Sequence, residues 1–208
     1  MKMNKKAVKT IFLLIGAIVI LGLFYYFVFF LPAYSAITTV IYAQNKLALI
    51  LACLEDYKKN HGCPPDRLSQ IQEKINEYLL KNPDFSNKYL FPAWTSKEVP
   101  LFTMPAIGKG WMIKHNELKY MRDGEEYYLY FWRDNIHLRT LTIREIKDII
   151  LKCDGYCRDY SGLVIAHNGK IVFGMMSKNI DPFTFENINN YLRGTERQKT
   201  FVWYIFEQ

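Results

Sequence analysis

Four cysteines, Cys53, Cys63, Cys153 and Cys157, come closest to chemistry in this chain by type and spacing. An even number of cysteines in an oxidising compartment points to disulfides, and four cysteines allow three pairings. The local pairs Cys53–Cys63 and Cys153–Cys157 are both candidates, and spacing does not choose between the three schemes. Cys53 falls inside an expected helix, where a cysteine also serves as a small buried apolar residue. Neither pair suits zinc: CDGYC is a C-x3-C string, wider than the usual knuckle, and Cys63 abuts Pro64 and Pro65. A thioredoxin-type C-x-x-C is absent.

The other reactive residue types form no constellation. His61, His115, His137 and His167 are scattered, and none has a histidine partner four residues away. His167 precedes a turn and is expected to be an exposed neighbour of it. Asp154, Asp159 and Asp181 lack the EF-hand spacing. Nucleophile-elbow and dinucleotide patterns are missing. Glu125 and Glu126 could pair with a base, but adjacent strand residues point to opposite faces. The sequence therefore predicts no enzyme, no metal and no cofactor.

The elements that would carry these residues begin with an unbroken apolar run, Ile11 to Leu31, IFLLIGAIVILGLFYYFVFFL. At about 1.5 Å per residue it spans roughly 30 Å, the thickness of a bilayer's hydrocarbon core. Lys2, Lys5, Lys6 and Lys9 precede it with no acid among them. Basic flanks stay in the cytoplasm, so the expected topology is a single-pass bacterial inner-membrane protein with its C-terminal domain in the periplasm. Pro32 and Tyr34 are expected at the outer membrane interface. A cleaved signal peptide has a shorter apolar core, about 7–15 residues, which favours an uncleaved anchor. Ala33-Tyr34-Ser35 is nonetheless a sequence a signal peptidase would accept. A buried soluble helix would not usually be apolar all round for this length.

The formal charge is +7, and removing the four leader lysines leaves +3. Much of the basic character is thus a topology signal, and the remaining lysines are dispersed among acids. No nucleic-acid partner is expected. The aromatic share is 16%. Part of it lies in the apolar run, and the rest argues for a strand-containing outer domain.

Beyond Pro32, Ile37, Val40, Ile41, Leu47, Ala48, Leu51, Leu54 and Tyr57 recur mostly three or four residues apart. This predicts an amphipathic helix from Ala33 to Lys59, with Pro32 bending a continuous rod and Gly62, Pro64 and Pro65 ending it. Its apolar stripe would cover a sheet or meet a partner helix of another envelope protein. Asp66 is placed to cap a second helix, Arg67 to Lys81. A loop-rich stretch follows from Phe85 to Gly110, expected to pack through Phe91, Trp94 and Phe102.

Strands are predicted at Trp111 to Ile113, Glu117 to Met121, Glu126 to Trp132 and Ile136 to Thr140, with a turn at Arg122-Asp123-Gly124. The EYYLYFW strand is apolar on both faces, so it should be central or covered on both sides; its aromatics could otherwise form a binding platform. Leu141 to Leu151 reads as a helix with a Thr142–Glu145 capping box. LVIAHNGKIVFGM reads as a hairpin turning at Asn168-Gly169. Asp181-Pro182 opens a helix from Phe183 to Leu192, ended by Gly194, and Phe201 to Phe206 is a last strand. The predicted fold is α+β: basic leader 1–10, transmembrane helix 11–31, amphipathic extension 32–62, and a mostly antiparallel periplasmic domain 63–208.

Two stretches resemble type IV pilins and type II secretion pseudopilins. Leu31-Pro32-Ala33-Tyr34 is similar to the proline-containing step after the pilin apolar segment. YKKNHGCPP, Tyr57 to Pro65, is similar to the Y-x-x-x-x-G-x-Y-P ending of the long pseudopilin helix, with Pro64 where the family has tyrosine. The resemblance covers roughly Ile11 to Leu68. It implies a rod-plus-sheet fold and a structural or assembly role in a pilus- or secretion-related envelope machine. The chain departs from the family at Thr10-Ile11, where pilins carry a glycine before the cut, and at Ile15, where they carry glutamate. These departures argue against prepilin processing and ordinary filament assembly. A membrane-tethered ligand-binding or sensing domain is the alternative reading.

Overall fold

The computed structural model describes residues 5–83, 101–107, 113–133, 139–153, 157–174 and 181–193, with backbone alone at 5–9, 30–41, 105–107, 113–115 and 192–193. The expectations for Phe91, Trp94, His137, Asp154, Gly194 and the strand Phe201 to Phe206 lie outside these residues. The chain divides into two compact units, Met1–Thr38 and Thr39–Gln208.

In the first unit, α1 runs Lys5–Tyr25, so the helix takes in part of the basic leader. A π-helical segment, Tyr26–Phe30, leads directly into α2, Leu31–His61. Proline removes a helical N–H and its ring crowds the carbonyl four residues back, here that of Val28. Val28 lies within the wider π turn, which is where such a conflict is absorbed. Pro32 and Tyr34 both lie in the first turns of α2, so the proline does not end the helix. Among the described residues one helix, Thr10–Phe29, is long and apolar enough to cross a membrane, and none of its most apolar stretch is buried in protein.

In the second unit, α2 ends at Gly62, whose φ of +75° and N–H to the Lys58 carbonyl (2.8 Å) make the expected C-terminal cap. Pro64 and Pro65 follow, both buried. The second helix differs from expectation. Leu68–Ile71 is a 3-10 turn, and the α-helix proper, α3, is Gln72–Lys81. Arg67, not Asp66, is the cap residue, and its N–H is accepted by Gln70 Oε1 at 2.9 Å. Asp66 is drawn away to Arg122, with Nη1 to Oδ1 at 2.5 Å.

The described strands form two antiparallel sheets. β1 (Thr103–Ile107) pairs with β2 (Ile113–Glu117). β3 (Lys119–Asp123), β4 (Glu126–Trp132), β5 (Leu163–His167) and β6 (Lys170–Phe173) form a meander in that order. The strand expected from Glu117 to Met121 is thus split: Glu117 closes β2, and β3 starts after the buried Leu118. β1 occupies part of the stretch expected to be loop. Pro105 lies opposite His115. A proline is tolerated there because this sheet has two strands among the described residues and leaves an edge without ladder bonds. Phe102 packs on the core as expected. Arg139 and Thr140 are not in a strand, and Ile136 to Leu138 lie outside the described residues. The fourth described α-helix, α4, is Ile143–Lys152 with the Thr142–Glu145 capping box in place. The last described helix, α5, is Phe185–Arg193, two residues later than expected, with the Thr184 N–H accepted by Asn187 Oδ1 (2.8 Å).

Two cores sandwich the meander. Tyr127, Leu129 and Phe131 from one face of β4 join α2, Leu68, Ile71 and Ile75, and Ile188 and Tyr191 of α5. Tyr128, Tyr130 and Trp132 from the other face join Ile146 and Ile149 of α4. β4 is thus central and covered on both sides. The larger departure concerns α2: every residue from 45 to 54 is buried, including Asn45 and Lys46. The expected half-covered rod is enclosed all round over this stretch, because the sheet, α3, α5 and Met104 of β1 surround it.

The β5–β6 turn locks onto this helix. Asn168 and Gly169 have φ of +42° and +75°, as a type I′ turn requires. A Cβ on Gly169 would stand 2.8 Å from Glu55 Cγ, whereas one on Gly124 (φ +62°) would meet nothing within 4 Å. Gly124→Ala is expected to cost about 1–2 kcal/mol through left-handed backbone strain alone. Gly169→Ala should cost roughly 1 kcal/mol more, because Glu55 must shift from its hydrogen bond with Tyr127. Urea unfolding of the two variants checks the difference.

Candidate functional site

Polar side chains gather at three places around β4. On the α4 side, Tyr128 OH donates to Glu126 Oε2 at 3.0 Å, and His167 Nε2 lies 3.5 Å from Glu126 Oε1. The His167 and Tyr128 rings stack, with centroids 4.5 Å apart and planes 5° from parallel. The sheet register explains the meeting, since Tyr128 is the direct partner of His167 across β4 and β5. Lys147 of α4 closes the group, 2.6 Å from Asp123 Oδ2 and 3.6 Å from Glu126 Oε2. His167 is therefore a half-buried stacking residue and not the exposed turn neighbour expected. Glu126 does pair with a base, while Glu125 sits in the turn outside β4.

The electrostatics follow from these contacts. The Tyr128 hydroxyl bond holds the Glu126 carboxyl below its usual range. Desolvation, then the Glu126 bond, pushes the Tyr128 phenol up. Desolvation outweighs Glu126 and lowers His167, so its imidazole is neutral at pH 7. The Tyr128 hydroxyl and Lys147 Nζ are each bonded to a carboxylate of the cluster, while His167 Nε2 is buried without a hydrogen bond. The arrangement ties α4 to the sheet margin through partly exposed pairs, which solvent screens and which individually add little to stability.

The second group faces α2. Tyr127 OH donates to Glu55 Oε1 at 2.5 Å, and the Tyr127 N–H is accepted by Asn168 Oδ1 at 3.2 Å. Desolvation and the neighbouring Glu55 carboxylate raise the Tyr127 phenol well above its ordinary value. Tyr120 OH donates to the Pro65 carbonyl, which pins the α2–α3 connection to β3.

The third is Lys46 in the enclosed part of α2. Its Nζ donates to the Thr103 carbonyl of β1 at 2.7 Å. Burial lowers its pKa to about 8. Sequence spacing places Lys46 on no functional face, and nothing in its neighbourhood along the chain distinguishes it from an exposed lysine.

The four cysteines separate by environment, and all are thiols. Cys53 is enclosed in the α2 core, and burial pushes its pKa up to about 12. Cys63 is half-buried beside the turn after α2. Cys153 and Cys157 both pack on the α4-side core. Among the described residues no group of three or more His, Cys, Asp or Glu is placed to hold a metal ion. All six aromatic and apolar residues from Tyr127 to Trp132 are buried in the two cores, so β4 offers no open platform. No family model, no curated protein and no solved structure matches this chain.

Proposed function

We propose that this chain is a bitopic inner-membrane protein whose periplasmic domain is a structural or assembly component of a bacterial envelope machine, pilus- or secretion-related and pilin-like in build. The course of α2 supports the reading. It follows the apolar segment without a break in helix, and its residues 45–54 form the centre of a core closed by an antiparallel sheet. The junction of the two units falls inside α2. Enclosure of residues 45–54 removes that stretch as a partner surface. A partner helix would therefore meet α2 outside that stretch.

The full chain, cross-linked in intact membranes and then extracted in detergent, is expected to run in a complex with other envelope proteins. A species that is only ever monomeric, with no co-purifying envelope protein, overturns the reading. Thermal stabilisation by a specific small molecule, without any protein partner, would favour a tethered binding domain instead.

A further inference from the structure

We propose that Cys153 and Cys157 form the intrachain disulfide of this protein, a staple between the end of α4 and the turn that enters β5, and that Cys53 and Cys63 remain thiols. Cys153 is the C-cap of α4, and Cys157 is the N-cap of the 3-10 turn Arg158–Tyr160. Both side chains rest on the same core, against which Tyr160 and Ile150 also pack. A bond between them would join two side chains of one core that stand four positions apart in the chain. The other two thiols have different surroundings: Cys53 lies among core residues near Asp56 and Lys74, and Cys63 lies near Tyr120. Of the two local pairs, Cys53–Cys63 and Cys153–Cys157, the second has both side chains packed on one core.

The bond forms by thiol–disulfide exchange with a disulfide oxidant. One cysteine thiolate attacks a sulfur of the oxidant, whose second sulfur leaves as a thiolate. The other cysteine thiolate then attacks the mixed disulfide and expels the oxidant's remaining sulfur. Two protons pass from the cysteines to the released thiolates by way of solvent, the oxidant is reduced to two thiols, and one S–S bond is made. The geometry favours a structural over a catalytic bond. Reactive thiols are activated at helix N-termini, whereas Cys153 sits at a helix C-terminus. Desolvation and the Cys157 contact raise its pKa to about 11. A thiol of high pKa is a poor leaving group, which slows reduction of the closed bond.

This staple is independent of the assembly role. The test uses the purified full chain in detergent with oxidised glutathione as the oxidant. Denaturation and labelling with a maleimide mass tag should then add tags to Cys53 and Cys63 only, and prior reduction should restore tagging of all four. Reduction should lower the melting temperature by about 4–8 °C, as expected for a short closed loop in a domain of this size. The C153S/C157S double variant should melt with the reduced protein and show no response to reductant. Tagging of Cys153 and Cys157 after oxidation, or a bond from either to Cys63, overturns the proposal. The same tagging on protein taken directly from cells reports the compartment. A pair that closes with glutathione but is found reduced in cells upholds the disulfide site and counts against the periplasmic placement.

Discussion

Placing two aspartates in the apolar helix, Ile18→Asp with Leu21→Asp, is expected to abolish membrane retention. Ile18 and Leu21 are each 66% exposed, as is most of the helix around them, so no protein core covers them. In water such a helix would leave a row of large apolar side chains solvated, including Phe12, Leu13, Ile20 and Phe24. Lipid is the environment that covers all sides at once. An aspartate near the centre of a spanning helix costs about 2.5–3.5 kcal/mol, so two cost roughly 5–7 kcal/mol, before counting the two apolar side chains lost. Aspartate is too short to reach the headgroups as a lysine can. The measurement is the distribution of the full chain between pellet and supernatant after alkaline extraction of membranes. The unaltered chain should stay in the pellet and the double variant should leave it or be degraded. Retention of the double variant in the pellet would show that something other than the apolar helix holds the protein there.

The features legible in the sequence are those decided within a few residues. Gly62 ends α2, Thr142 and Glu145 start α4, and Asn168-Gly169 turns β5 into β6, because each rests on a local backbone or capping requirement. The two-sided apolar pattern of Tyr127 to Trp132 likewise reports that β4 is covered on both faces. What the sequence hides depends on distant partners. Asp66 looks like a cap, but Arg122 reaches it from β3. Pro105 argues against a strand, yet the open edge of a two-stranded sheet accommodates it. The enclosure of α2 is masked by Asn45 and Lys46, whose polarity marks a solvent face on a helical wheel, while β1 supplies the carbonyl that receives the lysine. The Glu126–His167–Lys147 group is invisible for the same reason, because only strand register and the docking of α4 bring its members together.

The enclosed stretch of α2 also sets an alkaline signature in which two buried groups oppose each other. Lys46 has a folded pKa of about 8. That lies below its unfolded value of about 10.4. Folding thus disfavours its charged form: the penalty is complete below pH 8 and is relieved as pH rises toward 10.4. Cys53 has a folded pKa of about 12. That lies above its unfolded value of about 8.5. Folding favours its protonated form, so its contribution is complete below pH 8.5 and is lost as pH rises from there toward 12. Between about pH 8.5 and 10 the folded state therefore binds fewer protons at Lys46 and more at Cys53 than the unfolded state does. The two slopes have opposite signs, each approaching about 1.4 kcal/mol per pH unit. The unaltered helix should show little net slope in that window. Lys46→Met should leave the Cys53 loss uncovered, so that stability falls with pH. Cys53→Ala should leave the Lys46 relief uncovered, so that stability rises. Above pH 10 Tyr127 and Tyr120, both raised by burial, add their own loss. Urea unfolding from pH 8.5 to 10, on a C153S/C157S background to remove the titration of that pair, should separate the two variants by about 3–4 kcal/mol across the window. Parallel slopes in the two variants would mean that Lys46 and Cys53 are not both buried in the folded protein, and that the enclosed helix at the centre of this fold is wrong.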